Sequence, residues 1–132
     1  MAETLSLTLD GAAITDIPSF YDEINRVFMA GEDWQLGASL DALDDLLYGG
    51  FGVLHGVDRV VLVWTDIERS RLALGIEATR RHYLDKLTQP TRFDTERIAA
   101  DLAALERGDG PTYFDIILEI IAGHPQIELQ PA

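Results

Sequence analysis

The chain has 132 residues, 47% of them hydrophobic, which is enough for one domain with its own core. It has no cysteine, which excludes disulfides, thiolate metal sites and a thiol nucleophile and suits a reducing cytoplasm. With 23 acidic residues against 10 Lys and Arg, its formal net charge is −13. Such a surface repels nucleic acid and anionic lipid and attracts cations or a basic protein; the plain alternative is that the charge only serves solubility.

No apolar run reaches bilayer-spanning length, and Met1-Ala2-Glu3-Thr4 lacks the basic start and apolar stretch of a signal peptide. The expectation is a cytoplasmic protein. Leu5, Leu7 and Leu9 alternate with Ser6, Thr8 and Asp10, the pattern of a half-buried strand. Asp16 or Thr15 caps a following helix with Pro18 in its first turn, and Phe20, Ile24, Val27 and Phe28 recur at helical spacing over residues 17–29. Residues 31–39 read as a loop. Ser39 is an N-cap for a helix over about 40–48, which Gly49-Gly50 ends.

Val60-Val61-Leu62-Val63-Trp64 is a continuous apolar run, read as a central strand buried on both faces, with Trp64 in the core. Thr65-Asp66 then caps a helix running to about Leu74. A helix over residues 76–88 follows, with Ile76, Thr79, Tyr83, Leu84 and Leu87 on one face. Another covers 95–106, with Ile98, Leu102 and Leu105 inward. After the break at Gly108-Asp109-Gly110-Pro111, a last helix spans 113–122, with Phe114, Ile117, Leu118 and Ile121 inward. Ile127 and Leu129 mark a final strand. The order predicts an α/β fold, a three-stranded parallel sheet covered by helices.

The helix at Leu40 carries the chemistry. At 100° per residue, Leu40, Leu43, Leu46 and Leu47 share one face, Asp41 and Asp45 the other, and Asp44 the edge between. Asp41 and Asp45 form a like-charge i,i+4 pair, which a fold has no need of. The ordinary explanation is a solvated helix face; the functional one is a surface for a cationic partner. Catalysis by paired carboxylates requires a cleft with separated environments, which two acids on one exposed face do not provide. His55, His82 and His124 show no paired spacing, and no metal or cofactor is expected; His124, beside Pro125, reads as a cap or surface residue. Tyr48-Gly49-Gly50-Phe51-Gly52 lacks both phosphate-loop spacings and reads as a helix terminator whose aromatics border a surface. Trp34 is either an exposed binding anchor or a core residue.

The string Leu36-Gly37-Ala38-Ser39-Leu40-Asp41-Ala42-Leu43-Asp44-Asp45-Leu46-Leu47 resembles the signature of the barstar family. In that family an aromatic-Gly-x-Asn-Leu-Asp-Ala-Leu stretch opens the second helix and a further Asp follows one turn later. The element order over residues 4–74 and 112–130 resembles the family as well. The resemblance implies a three-stranded parallel sheet with helices and a bacterial, intracellular inhibitor of a basic ribonuclease, not an enzyme. It implies that acidic side chains take the places of RNA phosphates in the nuclease site. Carried over, Asp45 matches the principal acid and Asp41 the second. Gln35 or Leu36, with Trp34 and Gly37 beside them, matches the loop contacts, and Glu119 a further acid. The sequence departs from the pattern at Ser39, where Asn is usual, and at Asp44, where an aromatic is common. It departs again at Gly50, near the place of a contact Trp, with Tyr48 and Phe51 as stand-ins. Residues 75–111 read as a two-helix insertion. The competing reading is an acidic interaction module whose basic partner is not a nuclease. Neither nucleic acid nor membrane is an expected partner.

Overall fold

The computed structural model describes residues 4–132; Met1-Ala2-Glu3, read above for the lack of a leader, lies outside the described residues. The elements are β1 (Thr4–Asp10), α1 (Ile17–Phe28), α2 (Leu40–Leu47), β2 (Arg59–Thr65), α3 (Ile67–Ala73), α4 (Ile76–Leu87), α5 (Thr95–Glu106), α6 (Tyr113–Ala122) and β3 (Ile127–Pro131). The sheet is parallel throughout with β2 in the centre, in the order β1-β2-β3.

The register explains which face is packed. Leu7, Leu62 and Leu129 stand side by side, and Leu9 aligns with the fully buried Trp64. On the opposite face Ser6, Val61 and Glu128 align, as do Thr8, Val63 and Gln130. Val61 and Val63 are only half-buried there, and their polar neighbours are exposed. The expectation that β2 is buried on both faces is therefore corrected. The helices lie on one face, and the other carries an apolar stripe one strand wide between two polar strands. A continuous valine run cannot by itself report that its neighbours alternate.

Local chemistry sets the helix ends. Asp16 and Ser19 form a reciprocal capping box at α1, and Thr112 and Asp115 form another at α6. Asp66 sits at the N-cap position of α3 in the left-handed region at φ 49°, and its side chain makes no cap hydrogen bond, contrary to expectation. In the core, Trp64 lies between Phe20 and Phe114 at ring separations of 6.1 and 5.5 Å, and its Nε1 donates to Ser70 Oγ at 2.9 Å. The hydroxyls of Tyr21 and Tyr113 hydrogen-bond across α1 and α6. Burial raises both phenols, that of Tyr113 to about 12. Glu23 is a buried acid that accepts from Arg26 at 2.6 and 2.7 Å and from the Asp10 amide at 2.6 Å, tying α1 to the end of β1.

Helices α4 and α5 pack on each other, with Arg80 of α4 bridging Glu77 and Glu106. The inward face of α4 differs from the expected one: Ile76 and Leu84 are 52% and 48% exposed. The buried stripe runs through Thr79, whose Oγ1 donates to the Gly75 carbonyl at 2.7 Å and accepts from the Tyr113 amide at 2.7 Å. A short hydroxyl lets α4 approach α6 where a larger apolar side chain would hold them apart.

Candidate functional site

Helix α2 is amphipathic as its sequence requires. Leu43, Leu46 and Leu47 are buried, Leu40 is half-buried, and Asp41 and Asp45 point to solvent. Ser39 caps the helix by accepting from the Ala42 amide at 3.1 Å. At the other end Gly49, at φ +86°, takes the turn that ends it, and its amide donates to the Leu46 carbonyl at 3.0 Å.

Two loops frame the helix. Trp34, 45% exposed, packs against Phe51 at 5.1 Å, so the open question about Trp34 resolves into a half-exposed aromatic pair. Glu32 joins the two loops. One of its oxygens accepts from Trp34 Nε1 at 3.2 Å, the other from the Gly52 amide at 3.3 Å. Gly52 has φ +70°, and a Cβ there would stand 2.6 Å from the Phe28 carbonyl, so only glycine lets this loop press against the end of α1. Gln35 and Gly37 are exposed, and Tyr48 is 72% exposed.

Leu36 departs from its expected role. Its side chain is buried, and its backbone is pinned by Asn25, whose Oδ1 accepts from the Leu36 amide at 2.7 Å and whose Nδ2 donates to its carbonyl at 3.4 Å. The residue anchors the loop and does not offer its side chain to a partner. Glu119 is exposed on α6.

His124 is the largest correction. It is a buried residue whose Nε2 lies 2.7 Å from Asp44 Oδ1, and the Tyr48 ring meets its edge at 4.6 Å. Gln126 donates from Nε2 to the Leu47 carbonyl at 2.8 Å. The turn between α6 and β3 therefore grips the C-terminal half of α2. Asp44, 44% exposed at its side chain, is engaged within the chain, while Asp41 and Asp45 have no ion-pair partner among the described residues. No spacing signal could have found this pair, because its members are 80 residues apart.

Beside the start of α2 lies a groove of about 650 Å³, walled on its far side by α4, α5 and the loop between them. Among the described residues, no helix is long and apolar enough to cross a membrane.

A small parallel sheet layered on one face with helices, with an exposed acidic helix set between two aromatic loops, defines the structural class. Residues 4–105 match the family model Barstar (barnase inhibitor), well over half of the chain. The chain belongs to the Barstar family. The match continues through α4 and into α5 and ends before α6 and β3. No curated protein matches the chain.

Proposed function

We propose that this protein blocks the active site of a basic ribonuclease by seating the aspartate face of α2 among the cations that hold RNA phosphates. The observation that carries the reading is the two-sidedness of α2 in a member of this family. Three leucines lock it to the core, while Asp41 and Asp45, one turn apart, stay free of internal partners among the described residues.

A site built to bind phosphates is rich in Arg, Lys and His. Opposite charge steers the encounter, and the net charge of −13 strengthens that steering at low salt. Once docked, Asp45 and Asp41 accept charge-assisted hydrogen bonds from those cations. Trp34 and Phe51, with Gln35 and Gly37 before the helix and Tyr48 after it, supply the surrounding contact surface; Ser39 preorganises the helix start, and Glu119 adds a peripheral acid. Asp44 contributes by holding α2 in place. The inhibitor occupies the site and performs no chemistry, which requires neither metal nor cofactor. It acts in the cytoplasm, where a nuclease would otherwise meet the cell's own RNA. In this reading residues 75–111 are an arm inserted into a single domain.

The test is inhibition of barnase by the purified chain. Wild type inhibits with strongly salt-dependent association, and Asp45→Ala weakens inhibition more than Asp41→Ala. Equal inhibition by wild type and Asp45→Ala assigns the site wrongly. No inhibition, together with recovery of a basic protein other than a nuclease from intact lysate, replaces the nuclease by another basic partner.

A further inference from the structure

The two edges of the sheet are finished differently. In β2 the Val60 amide donates to the Gln126 carbonyl and the Trp64 carbonyl accepts from the Ala132 amide, so the even-numbered residues of this strand bond to β3. Its odd-numbered residues bond to β1, and in the parallel register those bonds fall on Leu5, Leu7 and Leu9. The amides and carbonyls of Thr4, Ser6 and Thr8 are left facing outward, and no hydrogen bond reaches them among the described residues. The next outward amide, that of Asp10, is taken by Glu23 at 2.6 Å. On β3 the outward groups belong to Ile127, Leu129 and Pro131, and proline has no amide to donate.

Edge strands are ordinarily protected by charge, proline or a bulge. Thr4–Leu9 has none of these: its register with β2 is unbroken, and it carries no charge in a chain that is one quarter charged. Leu5 and Leu7 point to the helix side and yet are only half-buried at this border. A second copy completes the edge. With a two-fold axis at Ser6 and the strands antiparallel, Ser6 faces its own equivalent, Thr4 faces the equivalent of Thr8, and Leu5 that of Leu7. Every outward amide and carbonyl of Thr4, Ser6 and Thr8 then has a partner, both leucines are covered, and no like charges are opposed. A basic partner finds no carboxylate on this segment to select it, whereas alternating leucine and hydroxyl residues match their own copy. Helix α2 is gripped by the turn before β3, at the other edge of the sheet, so its aspartate face takes no part.

We infer that this chain self-associates through the outer edge of β1, joining two three-stranded sheets into one continuous sheet. The association is weak. One strand pair offers far fewer than the roughly 20–30 residues a side of a standard interface, and two copies of net charge −13 repel. It strengthens as salt screens that repulsion, the opposite of the salt dependence of a basic partner. The inference does not depend on the function proposed above.

The experiment is sedimentation equilibrium of the full chain, from about 10 μM to about 1 mM, at about 0.05 M and about 0.5 M salt. Ser6→Lys, Ser6→Glu and Glu128→Lys are run beside wild type. Both positions are exposed on the open face of the sheet, and circular dichroism confirms each fold. The average mass of wild type is expected to rise from 14.6 kDa toward twice that value with concentration, and further at high salt. Ser6→Lys weakens dimerisation at least tenfold although it makes the chain less acidic, because it sets lysine against lysine. Glu128→Lys, which also removes negative charge but lies on β3, keeps the dimer. An equimolar mixture of Ser6→Lys and Ser6→Glu restores it. Wild type at monomer mass under every condition overturns the inference. So does a dimer that Ser6→Lys leaves intact, one that Glu128→Lys abolishes, or a mixture that associates no better than Ser6→Lys alone.

Discussion

In an Asp44→Ala variant the buried imidazole of His124 loses its side-chain partner at 2.7 Å. The lost hydrogen bond is worth about 1 kcal/mol, and a buried polar group left unpaired costs about 1–3 kcal/mol. Because the Asp44 side chain is 44% exposed, water reaches the vacated position and the lower part of that range applies. The expected destabilisation is about 1–2 kcal/mol, a fall in Tm of roughly 3–8 °C for a domain of this size. Asp45→Ala removes an exposed acid that faces Asp41 at i,i+4, so stability stays level or rises by about 0.2–0.5 kcal/mol. The functional effects run the other way. Under the proposed function, loss of Asp45 is expected to cost about 2–5 kcal/mol of affinity, the general range for interfacial charge pairs, those of this inhibitor family among them. Urea unfolding and barnase inhibition on the same two variants, with His124→Ala and the double variant closing a cycle, read both quantities. An Asp44→Ala protein as stable as wild type, with no coupling to His124, would refute the claim that this pair holds α2. So would an Asp45→Ala protein that is destabilised equally.

Leu46, fully buried on the inner face of α2, is expected to cost about 2–5 kcal/mol on truncation to alanine, read by denaturant midpoint. Gly52→Ala places a methyl 2.6 Å from the Phe28 carbonyl at φ +70°, so about 1–3 kcal/mol of stability and the Trp34–Phe51 pairing are lost together; Trp34 fluorescence reports the second. Acid weakens the fold in two windows. Burial and the neighbouring Lys86 hold the His82 imidazole down at about 4 against its ordinary 6.5. The unfolded chain therefore takes up that proton first, stability falls as pH drops from 6.5 toward 4, and His82→Phe flattens that part of the profile. Burial alone would raise the Glu23 carboxyl, but Arg26 and the Asp10 amide outweigh it and hold it below 4.5. Its contribution is complete above 4.5 and is lost as pH falls further, so Glu23→Gln lowers the urea midpoint at pH 7 and makes it less sensitive to acid below 4.5.

The holding of α2 bears on how such a helix works. Its 8 residues are too few to be stable alone, and its exposed face carries like charges. Three buried leucines, the Ser39 cap, the Asp44–His124 pair and the Gln126 contact to the Leu47 carbonyl compensate. A face fixed in this way loses little entropy on docking, which favours affinity without adding contacts.

Periodicity and capping chemistry made the strands and the six α-helices of the described residues, the leucine and aspartate faces of α2 and the core position of Trp64 legible, because each depends on residues within a few positions of one another. The family signature in residues 36–47 is local in the same sense. Tertiary structure alone decided the rest. It left one sheet face open, buried Leu36 behind Asn25, turned Ile76 and Leu84 outward and tied Asp44 to His124 across 80 residues. It also gathered Lys86, Arg92 and Arg97 opposite Asp41. Those outcomes depend on which surfaces meet after the chain has crossed over, and a side chain's own spacing carries no record of the partner that long-range packing brings to it.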